Sequence, residues 1–259
     1  MRQGEKIMRN VLGIIAGSVI ALSAGAAAAA EIKVVTVGAT RPALENIAAN
    51  YSMASRNTVA FTFTNPANIN MVLAEGTFDV IVAATSTVSE LAAAGRLVPG
   101  SQRRVARTGI GVSVREGAPR PDLSTSEAFR NTLLAARGIA LTNAMVPNGS
   151  GVLVEQILTN TGILDQVKAK GQVLGLAMGK EAIARGEIEL GLFNISEATA
   201  PGVVLAGPVP QALQLYTNYD AGVFANTVAR AEADAFIRFM SQRAITANWS
   251  SAGLELTTQ

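Results

Sequence analysis

The sequence predicts an α/β protein: a mostly parallel sheet with helices on its faces. Three observations carry this. Short β-branched runs alternate with longer stretches of helical spacing in the order β-α-β-α-β-α, which is the pattern of a parallel sheet covered by helices. The strand-like runs near the start are almost continuously apolar, as strands buried on both faces are. The turns from strand to helix repeatedly carry small or polar residues, as at 38–41, 65–68, 84–86 and 144–151.

The elements follow in order. "IKVVTV" (32–37) reads as a buried strand, and "PALENIAANYSMAS" (42–55) places Leu44, Ile47, Ala48 and Tyr51 at helical spacing. "TVAFTFT" (58–64) alternates and is rich in β-branched and aromatic residues, so it predicts a strand. "NINMVLAEG" (68–76) predicts a short helix stopped by Gly76, "FDVIVAA" (78–84) a third strand, and "TVSELAAAG" (87–95) a helix with a glycine stop. A second unit begins with the strand "TGIGVSVRE" (108–116) and a proline-rich loop (117–124). It continues with a helix at 126–137, a strand at 138–143 and a helix at 149–163. A strand at 171–176, a helix at 179–187 and a strand at 188–194 complete it. Two further strand-like runs (202–210 and 213–225) lead to a closing pair of helices over 227–253. After residue 30 no repeat of fixed period and no low-complexity tract is visible.

The first thirty residues read as a secretory leader. Arg2, Lys6 and Arg9 form a basic start, residues 11–30 an apolar run, and Ala28 and Ala30 a small-x-small cleavage site before Glu31. The formal charge of the whole chain is +2, and removing the leader leaves equal numbers of acidic and basic residues. A nucleic-acid surface needs a basic excess on one face. Arg103, Arg104 and Arg107 form the one basic cluster, without interleaved aromatics. The chain has no cysteine and no histidine. Thiol chemistry, the usual zinc and haem sites and any Ser-His triad are therefore excluded.

Familiar enzyme motifs fail in turn. "GLAMGK" (175–180) has short glycine spacing for a phosphate loop, and Glu181 stands where a hydroxyl must hold magnesium. "GIGVSV" (109–114) lacks the third glycine of a dinucleotide fingerprint, and "NGSGV" (148–152) offers Ser150 no histidine. Carboxylates near the expected mouth are scarce, which argues against a glycosidase pair or a magnesium site. What remains is a set of neutral donors and one cation where open α/β sheets bind ligands, beyond the carboxyl ends of their strands. Thr40 and Arg41 occupy the first turn, Asn65 and Asn68 the second, and Thr85 ends the third strand. Ser150 and Gly151 open the middle helix, and Asn194 ends a late strand. Helix starts there add N–H donors and partial positive charge. Each residue has a plain structural alternative. Thr40 and Asn68 cap helices well, Asn65 before Pro66 suits a turn, and an arginine in a turn is often only a surface residue.

Four stretches resemble one known family: "VTVGATRPALENIA", "INMVLAEGTFDVIVAAT", "GVLVEQILTNTGILDQVK" and "AFIRFMSQRAITANWSSAGL". Together they resemble the periplasmic solute-binding proteins of bacterial ABC importers, and within them the molybdate-binding branch. The resemblance runs from Ile32 nearly to the end. It implies a two-lobed type II binding-protein fold, each lobe a mixed, mostly parallel sheet flanked by helices, with ligand in the cleft. The first lobe would be 31–107 plus 217–259 and the second 108–216.

The family's oxyanion pocket uses serine hydroxyls on the first two turns, N–H groups of the middle helix and a late tyrosine. The matching positions here are Ala39-Thr40 with Arg41 added, Asn65–Asn68, Gly149-Ser150-Gly151, and Asn194 in the tyrosine's place. An arginine fork matches a planar carboxylate bidentately. The expectation is therefore a small anion, an organic carboxylate before molybdate, tungstate or another tetrahedral oxyanion. It would be captured in the periplasm by a monomer and delivered to an inner-membrane ABC permease. No cofactor, metal or nucleic acid is expected. A sensor module docking on a receptor is the alternative, and an enzyme on this scaffold is disfavoured by the missing acid–base residues.

Overall fold

The computed structural model describes residues 29–257. All but the last two residues of the expected leader (1–30) lie outside them. The chain runs β1 (Glu31–Val37), α1 (Arg41–Ser55), β2 (Thr58–Thr64), α2 (Ile69–Glu75), β3 (Val80–Ala84), α3 (Thr85–Ala93) and β4 (Arg103–Arg115). It continues with α4 (Ser126–Ala135), β5 (Ile139–Leu141), α5 (Ser150–Asn160), α6 (Leu164–Lys168), β6 (Gly171–Val173) and α7 (Leu176–Ala184). The last part is β7 (Leu190–Asn194), β8 (Val203–Pro208), β9 (Tyr216–Val223), α8 (Arg230–Met240), α9 (Thr246–Ser250) and β10 (Glu255–Leu256). Single 3₁₀ turns occupy 38–40, 66–68 and 195–197.

β1 explains its own apolar run. It pairs in parallel with β2 on one side and β3 on the other, so helices cover both its faces, and Val34, Val35 and Val37 are all buried. α1 opens on Pro42, whose fixed φ suits a first turn, and buries Ala43, Leu44, Ile47, Ala48 and Tyr51 as one stripe. The Tyr51 ring meets Phe236 and Phe239 of α8 at 5.1 and 5.3 Å between centroids, fastening α1 to the closing helices. Trp249 is fully buried and donates its indole N–H to the Met240 carbonyl at 2.9 Å.

The strand order is β2-β1-β3-β9-β4-β7-β5-β6, with β8 and β10 also on β4. β4 is the key element, because its 13 residues serve two sheets. From Arg103 to Gly109 it runs antiparallel to β9, and from Ile110 it pairs with β7 and β8. At the change of partner the Gln214 side chain donates to the Ile110 carbonyl and accepts from the Ile110 N–H. Gly109 gives it room: a Cβ there would lie 2.8 Å from the Gln214 amide carbon. One hydrophobic core surrounds β1, β3, β9, α1, α8 and α9. Others surround the outer half of β4 with β5, β7, α4, α5 and α7.

Element bounds differ from the sequence reading most tellingly in three places, and α7 also begins three residues before the expected 179. β4 starts at Arg103, five residues before the expected 108, because its basic residues find distant acids. Arg104 pairs with Asp220 of β9 at 2.9 Å and Arg107 with Glu255 of β10 at 2.6 Å. The strand expected over 171–176 stops at Val173, since Gly175 already precedes the first turn of α7. The helix expected over 149–163 ends at Asn160, and α6 follows as a separate turn and a half.

Candidate functional site

The carboxyl ends of β1, β2 and β3 face those of β5 and β7 across a cavity of about 510 Å³. Every wall is a strand-to-helix turn, as the topology of an open α/β sheet dictates. The 3₁₀ turn after β1 contributes Gly38 and Ala39, the turn after β2 Thr64, Asn65 and Pro66, and α3 Thr87. The loop from β5 to α5 contributes Thr142, Asn143, Val146 and Asn148, and the turn after β7 Asn194 and Glu197. Tyr219 of β9 closes the floor.

Four of the sequence-predicted residues meet here: Asn65, Ser150, Gly151 and Asn194. Asn65 spends its carbonyl oxygen on the Asn68 N–H at 3.0 Å, leaving its amide N–H₂ for the cavity. Ser150 and Gly151 are the first residues of α5. Gly149 before them supplies no side-chain cap, so the first N–H groups of this helix are open to a ligand. The Ser150 hydroxyl shares a hydrogen bond with Thr142 at 3.1 Å. Gly151 is a steric requirement, since a Cβ would lie 2.5 Å from the main-chain carbonyl of Asn143. Asn194 is buried and donates its Nδ2 to Glu197 Oε2 at 2.9 Å. Its Oδ1 has no partner among the described residues.

Glu197 is a lining residue that the sequence reading did not name. Burial pushes its carboxyl above the ordinary carboxylate range, an effect that Asn194 and the nearby Lys180 ammonium offset only in part. The Lys180 Nζ itself donates to the main-chain carbonyls of Glu197 and Thr199 at 3.2 and 3.3 Å. Tyr219 is buried, and that burial together with the Glu197 charge raises its phenol far above the usual range, so it is a neutral donor. Among the described residues, no group of three or more His, Cys, Asp or Glu is placed to hold a metal ion.

Residues 32–255 match the family of bacterial extracellular solute-binding proteins. The chain belongs to that family. The periplasmic molybdate-binding protein of Azotobacter vinelandii superposes with a TM-score of 0.70 at 21% identity, over 88% of this chain and all of that one. The L-phospholactate-bound PEB3 of Campylobacter jejuni superposes with a TM-score of 0.67 at 16% identity, over 86% and 99%. These likenesses establish the fold, a two-lobed periplasmic binding protein. An aconitate isomerase from a Pseudomonas species is 28% identical over 179 residues, 68% of this chain and 67% of that protein.

In this solute-binding protein the other four expected residues lie off the cavity, each for a visible reason. Thr40 is buried, its hydroxyl bonded to Thr36 Oγ1 at 2.7 Å and to the Val37 carbonyl at 2.9 Å. Arg41 lays its guanidinium on the Phe63 ring, 3.7 Å from the centroid, and donates to Glu45 at 3.2 Å. Its side chain is half exposed. Asn68 uses only its main-chain N–H, toward Asn65. Thr85 begins α3 and donates to Asp220 Oδ1 at 2.8 Å, on the β9 side. Among the described residues the cavity is thus lined by no arginine, and its one carboxyl is Glu197. A single carboxyl is consistent with the expected scarcity of carboxylates at the mouth, although the sequence did not single out Glu197.

Asn148 was also missed. It bridges the two halves, accepting from Ser86 at 2.7 Å and donating to Thr87 at 3.1 Å, both on α3. It holds a left-handed backbone with φ +62, which asparagine tolerates better than most residues. Among the described residues no helix is long and apolar enough to cross a membrane.

Proposed function

We propose that this protein captures a small organic acid with two or more carboxyl groups in the periplasm. It then acts as a monomer and delivers the acid to an inner-membrane ABC permease. The observation that carries this reading is the make-up of the cavity. A volume of about 510 Å³ belongs to the range of organic-ligand sites and far exceeds what one four-oxygen anion fills. Its donors are neutral: the N–H groups opening α5, the Asn65 amide and the Tyr219 hydroxyl. Spread around the walls, they suit carboxylates at separate ends of one ligand. A doubly charged oxyanion that stays ionised at neutral pH would meet Glu197 as a repulsive neighbour. A carboxylate ligand can share a proton with it. The aconitate isomerase relative acts on an acid of this class.

We place the lobe boundaries where β4 changes partner, between Gly109 and Ile110, and at the start of β9. These lie within two residues of the boundaries expected from the sequence. Ligand would favour the closed arrangement by touching both lobes at once.

A thermal-shift panel tests the reading with molybdate, tungstate, sulfate, phosphate and mono-, di- and tricarboxylates. Di- and tricarboxylates should raise the melting temperature by mass action. A shift with molybdate or tungstate alone would overturn the proposal. A second reading, catalysis on the bound acid, is favoured by one observation: the Glu197 carboxyl in the cavity wall.

A further inference from the structure

We infer that Glu197 is a proton-transferring residue and that this cavity moves a double bond in an unsaturated polycarboxylate. The inference rests on the carboxylate reading above. A carboxyl that can share a proton with a bound carboxylate is also placed to move one. Its geometry suits a base. Oε2 is held by Asn194 Nδ2 at 2.9 Å, which fixes the group. Oε1 faces the turn at Gly38, 3.7 Å from where a Cβ on that residue would stand. Burial raises the carboxyl's proton affinity, as a base drawing on a carbon acid requires. The acceptor Asn194 Oδ1 is buried without a partner among the described residues, which favours a ligand that brings a hydrogen to this wall. Across the cavity stand the N–H groups opening α5, and beside Glu197 the neutral Tyr219 hydroxyl. These are donors for a carboxylate on which negative charge develops.

The step balances without any co-reactant. Ionised Glu197 takes a proton from a methylene that is both allylic and next to a carboxylate. The C–H electron pair spreads over the three-carbon unit and into the carboxylate oxygens. Protonated Glu197 then returns the proton to the far carbon. The double bond has moved one carbon, its geometry can change from E to Z, and Glu197 is again a carboxylate.

The test incubates the protein with trans-aconitate in D₂O and follows the methylene and vinyl signals by proton NMR, alongside the thermal shift with the same acid. Wild type should isomerise the acid and exchange deuterium into it. Glu197→Gln should keep the thermal shift and lose at least 100-fold in rate, the lower bound for removing a positioned acid–base group. Glu197→Asp, which keeps a shortened carboxylate, should fall between the two. A thermal shift without isomerisation or exchange in wild type would overturn this inference and leave the capture reading standing. So would a Glu197→Gln rate equal to wild type. No shift with any carboxylate would remove the capture reading itself.

Discussion

Glu197 lines the cavity and Arg41 does not. A search for an anion site favours cations and neutral donors, so Arg41 stood out and a glutamate did not. The partner that removes Arg41 from the cavity is Phe63, on a strand some twenty residues away. The sequence carries no local sign that its ring offers a face to the guanidinium. Arg41→Ala should therefore leave carboxylate affinity within about twofold. It should cost only about 0.5–1 kcal/mol of stability, the range for exposed ion pairs and cation–π contacts. A tenfold loss of affinity, measured by calorimetry, would restore the arginine to the site. Glu197 makes the opposite prediction. Its folded pKa lies above its unfolded one, so the native state holds the extra proton. That contribution is complete below the ordinary carboxylate range and fades as pH rises through the raised value. The melting temperature of wild type minus that of Glu197→Gln should accordingly fall as pH is raised from about 4 toward neutrality. A difference that stays flat would mean that burial does not hold this carboxyl protonated.

Among the elements, the strands and helices up to α3 were legible because each is continuous and locally periodic. The turns at their ends named Asn65, Ser150, Gly151 and Asn194 for the same reason: position at a strand's carboxyl end is readable without tertiary knowledge. What stayed hidden depends on distant pairing. The first five residues of β4 look like a basic cluster until Asp220 and Glu255 are set beside them. Tyr219 looks like one residue of an alternating strand until the sheet order brings β9 beneath the cavity. The start of α5 lines the cavity, as its place after β5 suggests, but the demand for glycine at 151 comes from a loop that packs on it. Gly151→Ala must push the Asn143 carbonyl away from a 2.5 Å contact. Overpacking of this kind costs about 1–3 kcal/mol, and the shift would tilt the N–H groups that open onto the cavity. Denaturant unfolding should show the stability loss, and the thermal shift with carboxylates should shrink in parallel. A variant as stable as wild type would show that the loop yields freely.

For the whole molecule, the question is what holds the two halves together around a ligand. β4 and the segment entering β9 connect them, and Gln214 braces the point where β4 changes sheets. The cavity lies between the halves, so closure must be read in contacts that span it. Asn148 supplies two such contacts, to Ser86 and Thr87, from a loop that also lines the cavity. Asn148→Gly isolates them, because glycine accepts the φ of +62 without strain while losing both hydrogen bonds. Each bond is worth about 0.5–1.5 kcal/mol net. If the closed state alone contains them, the variant should release a bound carboxylate about 5- to 160-fold faster, with a smaller change in association rate. Stopped-flow displacement measures this directly. An unchanged release rate would mean that the clasp persists with the cleft open, and that the ligand's own contacts supply the whole bias toward closure.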